Sequence, residues 1–185
     1  MKRIIILNGY PKSGKSLFAT YLQEAYSKHN IKAHNVSSVD NVKKAAILLG
    51  WGGNKDENSR NALSDLKDIS SNAWNGPFEY MEEKFNSMGY NDCLILMIRE
   101  PEEIQKFVNK YPRTITIFIK RDECEHASNH ADSEVENYIY DIYIGNCTKD
   151  GLKESANYIV ETDINYEGIR NFINLYEPEE EDLWK

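Results

Sequence analysis

Cysteine is scarce: Cys93, Cys124 and Cys147 are the only three in 185 residues, an odd number with no close pair. That usage argues against a disulfide framework and suits reduced thiols, so a cytoplasmic protein is expected. Long apolar runs are lacking at the start. After Met1-Lys2-Arg3 only residues 4–7 are apolar before Asn8 and Gly9. A secretory leader needs about 7–15 apolar residues and a membrane span about 20, so neither is expected. Positive charge is also in deficit, with 22 Lys+Arg against 30 Asp+Glu and a net charge of −8. Nucleic acid and anionic membranes call for a basic footprint, so neither is an expected partner. The deficit is unevenly placed. The last ten residues hold five acids and one base. Half of the net charge therefore sits in an acidic tail over 177–185, and the body is only mildly acidic.

What is present suits a single domain over residues 1–185. Hydrophobic residues at 41% and charged residues at 28% argue against wholesale disorder. The length leaves little room for a second core. Residues 3–8 read as a strand ended by a glycine turn, and 15–28 as a helix with Leu17, Phe18, Tyr21, Leu22, Ala25 and Tyr26 at helical spacing. A second strand is expected over 31–36. Helices are expected over 40–49, with Val42, Ala45, Ala46 and Leu49 on one face, and over 60–69 and 77–88. The apolar run 94–98 reads as a strand buried on both faces, 101–109 as a helix, and the β-branched run 114–119 as a strand. A short helix or loop over 134–137, a last strand over 141–144, a turn over 146–151, and helices over 152–161 and 166–176 complete the chain. Strands alternating with helices give an α/β class: a mostly parallel sheet of about five strands, covered on both faces.

One motif carries chemistry. Gly9-Tyr10-Pro11-Lys12-Ser13-Gly14-Lys15-Ser16 matches G-x-x-x-x-G-K-[ST] at every fixed position. It lies between a strand and a helix, where its mechanism requires it. Gly9 and Gly14 allow backbone angles that turn successive N–H groups towards phosphate oxygens. The following helix presents its positive end to the anion. Lys15 reaches the β- and γ-phosphates, and the Ser16 hydroxyl can ligate Mg²⁺. The expected nucleotide contacts are Gly9, Lys12, Ser13, Gly14, Lys15, Ser16 and Leu17, with ATP and Mg²⁺ as cofactors. Lys12 is expected to be exposed and accessory.

The loop fixes the phosphate donor and leaves the acceptor open. A GTPase should carry an N-K-x-D-like segment, but Asn54-Lys55-Asp56 comes too early and between helices. A motor usually carries a strand ending in Asp or Asp-Glu, whereas 94–98 runs into Arg99-Glu100. A compact kinase of small molecules remains.

At this point the chain resembles the P-loop nucleoside monophosphate kinase superfamily. Within it, the chain is most similar to bacteriophage-type deoxynucleoside monophosphate kinases and dephospho-CoA-kinase-like proteins. Val42-Lys43, Ala45-Ala46 and Gly50-Trp51 look like that family's substrate-side helix. Arg99 with Glu103 is similar to its R-x-x-x-E pattern after the third strand. Arg121 stands where relatives carry a lid arginine. Tyr140-Asp141-Ile142-Tyr143-Ile144-Gly145-Asn146 with Gly151-Leu152 resembles its D-x-x-I-x-N-x-G-x-L ending. The resemblance implies a three-layer α/β/α P-loop kinase fold with a substrate-side region over 40–90 and a short lid over 121–133. It implies a nucleotide kinase, a phosphotransferase making a diphosphate and ADP from ATP and a (deoxy)nucleoside monophosphate. A homodimer is compatible with it. Lys15, Arg99 and Arg121 would act in transfer, and Lys43, Arg60 and Arg99 would hold the acceptor, with Lys55 among the substrate-side charges. Relatives often carry Asp two residues before the first arginine, to organise Mg²⁺; here that residue is Met97. Ser16 with phosphates and water, or else Glu100, would then hold the metal.

The residues themselves allow plainer readings. Only six arginines exist: Arg3, Arg60, Arg99, Arg113, Arg121 and Arg170. Arg suits bidentate phosphate contacts. Arg60 equally suits a solvated helix face, and Arg99 a surface pair with Glu102 or Glu103. Trp51, Trp74, Phe78 and Tyr80 could stack on a base, worth about 1–3 kcal/mol, or pack between helices. Cys124, His126 and His130 lack the spacing of common zinc sites and read as solvated lid residues. Other acceptors, such as a nucleoside or dephospho-CoA, and a regulatory nucleotide binder without transfer stay open.

Overall fold

The strands sort their side chains by alternation. In β1 (Arg3–Asn8), Ile4 and Ile6 join one apolar cluster while Ile5 and Leu7 join another. In β3 (Cys93–Met97), Leu94 and Leu96 join the first, and Cys93 and Ile95 the second. In β4 (Ile115–Lys120), Phe118 faces the first cluster and Ile115, Ile117 and Ile119 the second. A strand with apolar residues on both faces has to lie inside a sheet covered on both sides. The computed structural model, which describes residues 2–54, 56–121, 135–146 and 148–165, has that architecture.

Five strands form one sheet in the order β2-β3-β1-β4-β5, with β2 at Ala33–Ser37 and β5 at Ile142–Gly145. Every pairing is parallel, and Leu7 of β1 lies opposite Met97 on one side and Ile117 on the other. Helices α1 (Lys15–Ser27) and α6 (Lys149–Ile164) cover one face through Phe18, Leu22, Tyr26, Leu152 and Ile159. Helices α4 (Gly76–Ser87) and α5 (Pro101–Lys110) cover the other through Phe78, Met81, Ile104 and Phe107. Helices α2 (Asp40–Leu48) and α3 (Glu57–Trp74) pack on each other and on α4. The result is the three-layer α/β/α arrangement.

Several boundaries differ from the sequence expectation. The Ile31 amide bonds back to the Tyr26 carbonyl at the end of α1, so the second strand begins at Ala33. Helix α3 is 18 residues long, well beyond 60–69. Asp56 caps it by accepting from the Ser59 amide, and Asn75, at φ 52°, ends it. Its many Ser and Asn residues hide that length from apolar periodicity. Thr148 caps α6 through the Gly151 amide, which draws half of the expected 146–151 turn into the helix. On α2 only Val42 and Ala46 are buried; Ala45 and Leu49 are exposed, because the helix meets its neighbours along a narrow stripe. The described part of the expected 134–137 element is a turn. The 166–176 helix, the tail, Lys55 and the lid beyond Arg121 lie outside the described residues. No described helix is long and apolar enough to cross a membrane.

Leu7 is fully buried, whereas Leu48 is 89% exposed. Leu7→Ala should therefore cost about 2–5 kcal/mol of unfolding free energy in urea titrations, and Leu48→Ala less than about 0.5 kcal/mol.

Candidate functional site

Parallel pairing throughout brings all five strand C-termini to one edge. Open α/β sheets bind ligands at that edge. The central strand β1 delivers residues 9–16 there. Its neighbour β3 delivers Arg99 and Glu100, its other neighbour β4 delivers Arg121, and β5 delivers Asn146.

The loop's shape depends on two glycines. Gly9 has φ 138° and Gly14 φ 103°, both in the left-handed half of backbone space. A Cβ on Gly9 would overlap the Ile119 carbonyl oxygen, and one on Gly14 would overlap the Asn146 side-chain amide. That amide also donates to the Ser13 carbonyl at 2.8 Å, so Asn146 clasps the loop from β5. Ser13 is fully buried, and its hydroxyl has no hydrogen-bond partner among the described residues. The Lys15 ammonium folds back to donate to the Gly9 and Tyr10 carbonyls, at 2.5 and 2.6 Å. Gly14 offers α1 no side-chain cap, and the first turn holds no acid. The N–H groups of its first turn, which have no partner within the helix, and its positive end thus suit an anion. Ser16 and Lys12 are exposed, and Leu17 packs on the core at the base of the loop.

A polar chain anchors the loop from behind. Asn8 is fully buried. Its side-chain amide oxygen accepts from the Gly9 backbone N–H at 2.8 Å. Its side-chain N–H groups donate to the Arg99 carbonyl at 3.0 Å and the Tyr140 hydroxyl at 2.6 Å. Tyr140 in turn donates to the Val135 carbonyl at 2.8 Å. Burial pushes the Tyr140 phenol well above its ordinary pKa, so it remains a donor. Each such bond contributes about 1 kcal/mol net, and more would be lost if one partner were left buried and unpaired.

The strand end beside Arg99 carries an ionic cluster. Met97 packs on the core and its carbonyl accepts from Ser38, so no carboxylate stands at that position. Glu100 pairs instead with Lys67 of α3. Glu103 lies 3.4 Å from the same ammonium and accepts from the Ser71 hydroxyl at 3.1 Å. Burial pushes the Glu103 carboxyl up; Lys67 opposes this and Glu100 adds to it. Among the described residues, no three His, Cys, Asp or Glu side chains are grouped to hold a metal.

The acceptor-side candidates are less converged. Lys43 on α2 lies 3.8 Å from Asp40, and Arg60 is exposed near the start of α3. Phe78 is a core residue against Phe107, with centroids 4.6 Å apart, and is not available to a base. Tyr80 lies between Lys44 and Lys84, the Trp51 indole donates to the Asn54 carbonyl, and Trp74 is exposed. Cys124, His126 and His130 lie outside the described residues.

Neither a protein-family model nor a curated protein matches the sequence at a significant level. Solved structures do match. An APS kinase of Mycobacterium tuberculosis superposes with a TM-score of 0.51 at 11% identity, over 86% of this chain and 95% of that one. This is the P-loop kinase fold. A shikimate kinase from Aquifex aeolicus matches at a TM-score of 0.49 and 18% identity, over 89% of this chain and 99% of that one.

Within the P-loop kinase fold, four residues take structural parts to which the sequence assigned no role. Asn8 had a visible sign, as the polar residue closing an apolar strand before Gly9. Asn146 stood in the family-like ending without a role. Lys67 and Ser71 had no sign, being polar residues in a polar helix.

Two outcomes follow from this geometry. Gly14→Ala should lower stability by about 1–3 kcal/mol, and Asn146→Gly in the same chain should recover part of it, as a double-mutant cycle by thermal denaturation would read. The second concerns pH. The folded-state pKa of Glu103 lies above its unfolded value, so the folded state holds this proton more tightly. Its contribution is complete below the unfolded value, about 4.3, and is lost as pH rises through the folded one. The stability of the wild type relative to Glu103→Gln should therefore decline as pH rises from about 4. A gap that grows with pH would contradict this.

Proposed function

We propose that the protein transfers the terminal phosphoryl group of ATP to a (deoxy)nucleoside monophosphate, giving the diphosphate and ADP. One observation carries this reading. A complete phosphate loop leaves the central strand, and arginines issue from the ends of the two strands that flank it. The shared fold with an APS kinase supports phosphoryl transfer as the coarse reaction. The nucleotide acceptor rests on the resemblance and on Lys43 and Arg60 in the helices beside the edge.

The loop fits a nucleotide's phosphates. Its helix start is uncapped and free of acids in the first turn, and the Lys15 ammonium lies at the loop, donating to the Gly9 and Tyr10 carbonyls. ATP oxygens would take over the Lys15 ammonium. Ser16 offers an exposed hydroxyl to Mg²⁺. With Met97 at the strand end and Glu100 tied to Lys67, Ser16, phosphates and water would complete the shell. Bound there, the metal neutralises phosphate charge. Arg99 and Arg121 would neutralise the transferring group, which in this chemistry is chiefly a matter of position and charge. Lys43 and Arg60 would hold the acceptor phosphate.

Met97 favours a second reading, nucleotide binding without transfer. The deciding experiment incubates purified protein with ATP, Mg²⁺ and a panel of nucleoside monophosphates, nucleosides and dephospho-CoA. A diphosphate product with ADP is expected. Lys15→Ala should reduce turnover by about 10²–10³-fold or more while leaving the melting temperature near wild type. Turnover only of nucleosides or dephospho-CoA would move the acceptor class. ATP binding with neither transfer nor hydrolysis would establish the second reading.

A further inference from the structure

Helix α3 buries a charge. Its one fully buried residue is Lys67, at 4%, beside the partly buried Leu63 and Leu66, while Ile69 on the far side is 56% exposed and Trp74 at the helix end 72%. No α3 side chain belongs to either apolar cluster. The links from α3 to the β3 end and α5 are polar. Lys67 pairs with Glu100 and Glu103, Ser71 donates to Glu103, and Lys106 donates to the side chain of the capping Asn75 at 2.8 Å. Apolar contacts tolerate sliding, whereas an ammonium between two carboxylates holds one register, because leaving either buried charge unpaired is costly.

Arg60 precedes Lys67 by seven residues, about 20° short of two full turns, so both lie on the same stripe of the helix. The Lys67 pairing therefore sets where Arg60 stands. Its other end is Glu100, the residue after Arg99. The Arg99 carbonyl is held by Asn8, which also holds the Gly9 amide. Two hydrogen bonds of Asn8, the Arg99–Glu100 peptide link and the Lys67 ion pair thus connect the phosphate loop, past the end of β3, to α3.

We propose that Lys67 is a positioning residue for the acceptor: clasped by Glu100 and Glu103, it registers α3, and with it Arg60, against the strand end that carries Arg99. The kinetic part rests on the kinase reading above; the clasp itself does not. The test compares wild type, Lys67→Met, Lys67→Arg and Glu100→Gln in the full chain. In ligand-free protein, hydrogen exchange of α3 amides should quicken about tenfold in Lys67→Met while β1 and β4 stay unchanged. In steady-state assays the acceptor KM should rise about fivefold or more, with the KM for ATP within about twofold of wild type and Lys67→Arg restoring part of the loss. If Lys67→Met does not fold, Glu100→Gln, which leaves Lys67 paired with Glu103, should show the same changes at smaller size. Unchanged α3 exchange would overturn the clasp. Faster exchange with an unchanged acceptor KM would overturn the positioning role. A wild type that phosphorylates no acceptor would count against the kinase reading, and the exchange result alone would then decide the clasp.

Discussion

β1 lies in the middle of the sheet with apolar residues on both faces and hydrogen-bonded strands on both sides. Helices must cover both of its surfaces, and its neighbours β3 and β4 run parallel to it. The loop at its end can then leave in one direction only, into α1. With all strands parallel, every other strand end opens beside that loop. The candidate site is a consequence of this burial, because the strand that is most deeply fixed is the one that presents the phosphate loop.

The interior is apolar, and the working edge is held by polar groups. Asn8, Tyr140 and Asn146 supply the hydrogen bonds that fix the loop and the segments around it. Side-chain amides suit this place, since each can donate to one segment and accept from another. Asn8 does so between the Gly9 amide and the Arg99 carbonyl. The same logic extends outward to α3, whose docking is ionic. That arrangement costs more desolvation than an apolar contact but specifies register. In an acidic chain with few arginines, two of them follow the ends of the strands that flank the loop.

Much of the framework was legible in the sequence. The runs at 3–8, 94–98 and 114–119 read as strands, and the continuous apolar run at 94–98 as one buried on both faces. The phosphate loop was legible because its glycines and lysine stand at fixed spacing between a strand and a helix. Helix α3 was seen only in part, because its buried side is polar and periodicity counts apolar residues. The base-stacking part considered for Phe78 gave way to a core position, because a large aromatic on α4 finds Phe107 across the helix pair.

The sequence by itself determined the α/β class, the phosphate loop and the polarity of the chain's charge, each being a local pattern of residue type and spacing. Only the tertiary structure decided which distant residues meet. The Asn146 clasp on Ser13 spans 133 positions, the Tyr140 bond to Asn8 spans 132, and Lys67 reaches Glu100 from another helix. The reason is physical. A polar side chain can bond many partners, and which partner it takes is set by the apolar packing that brings two segments together.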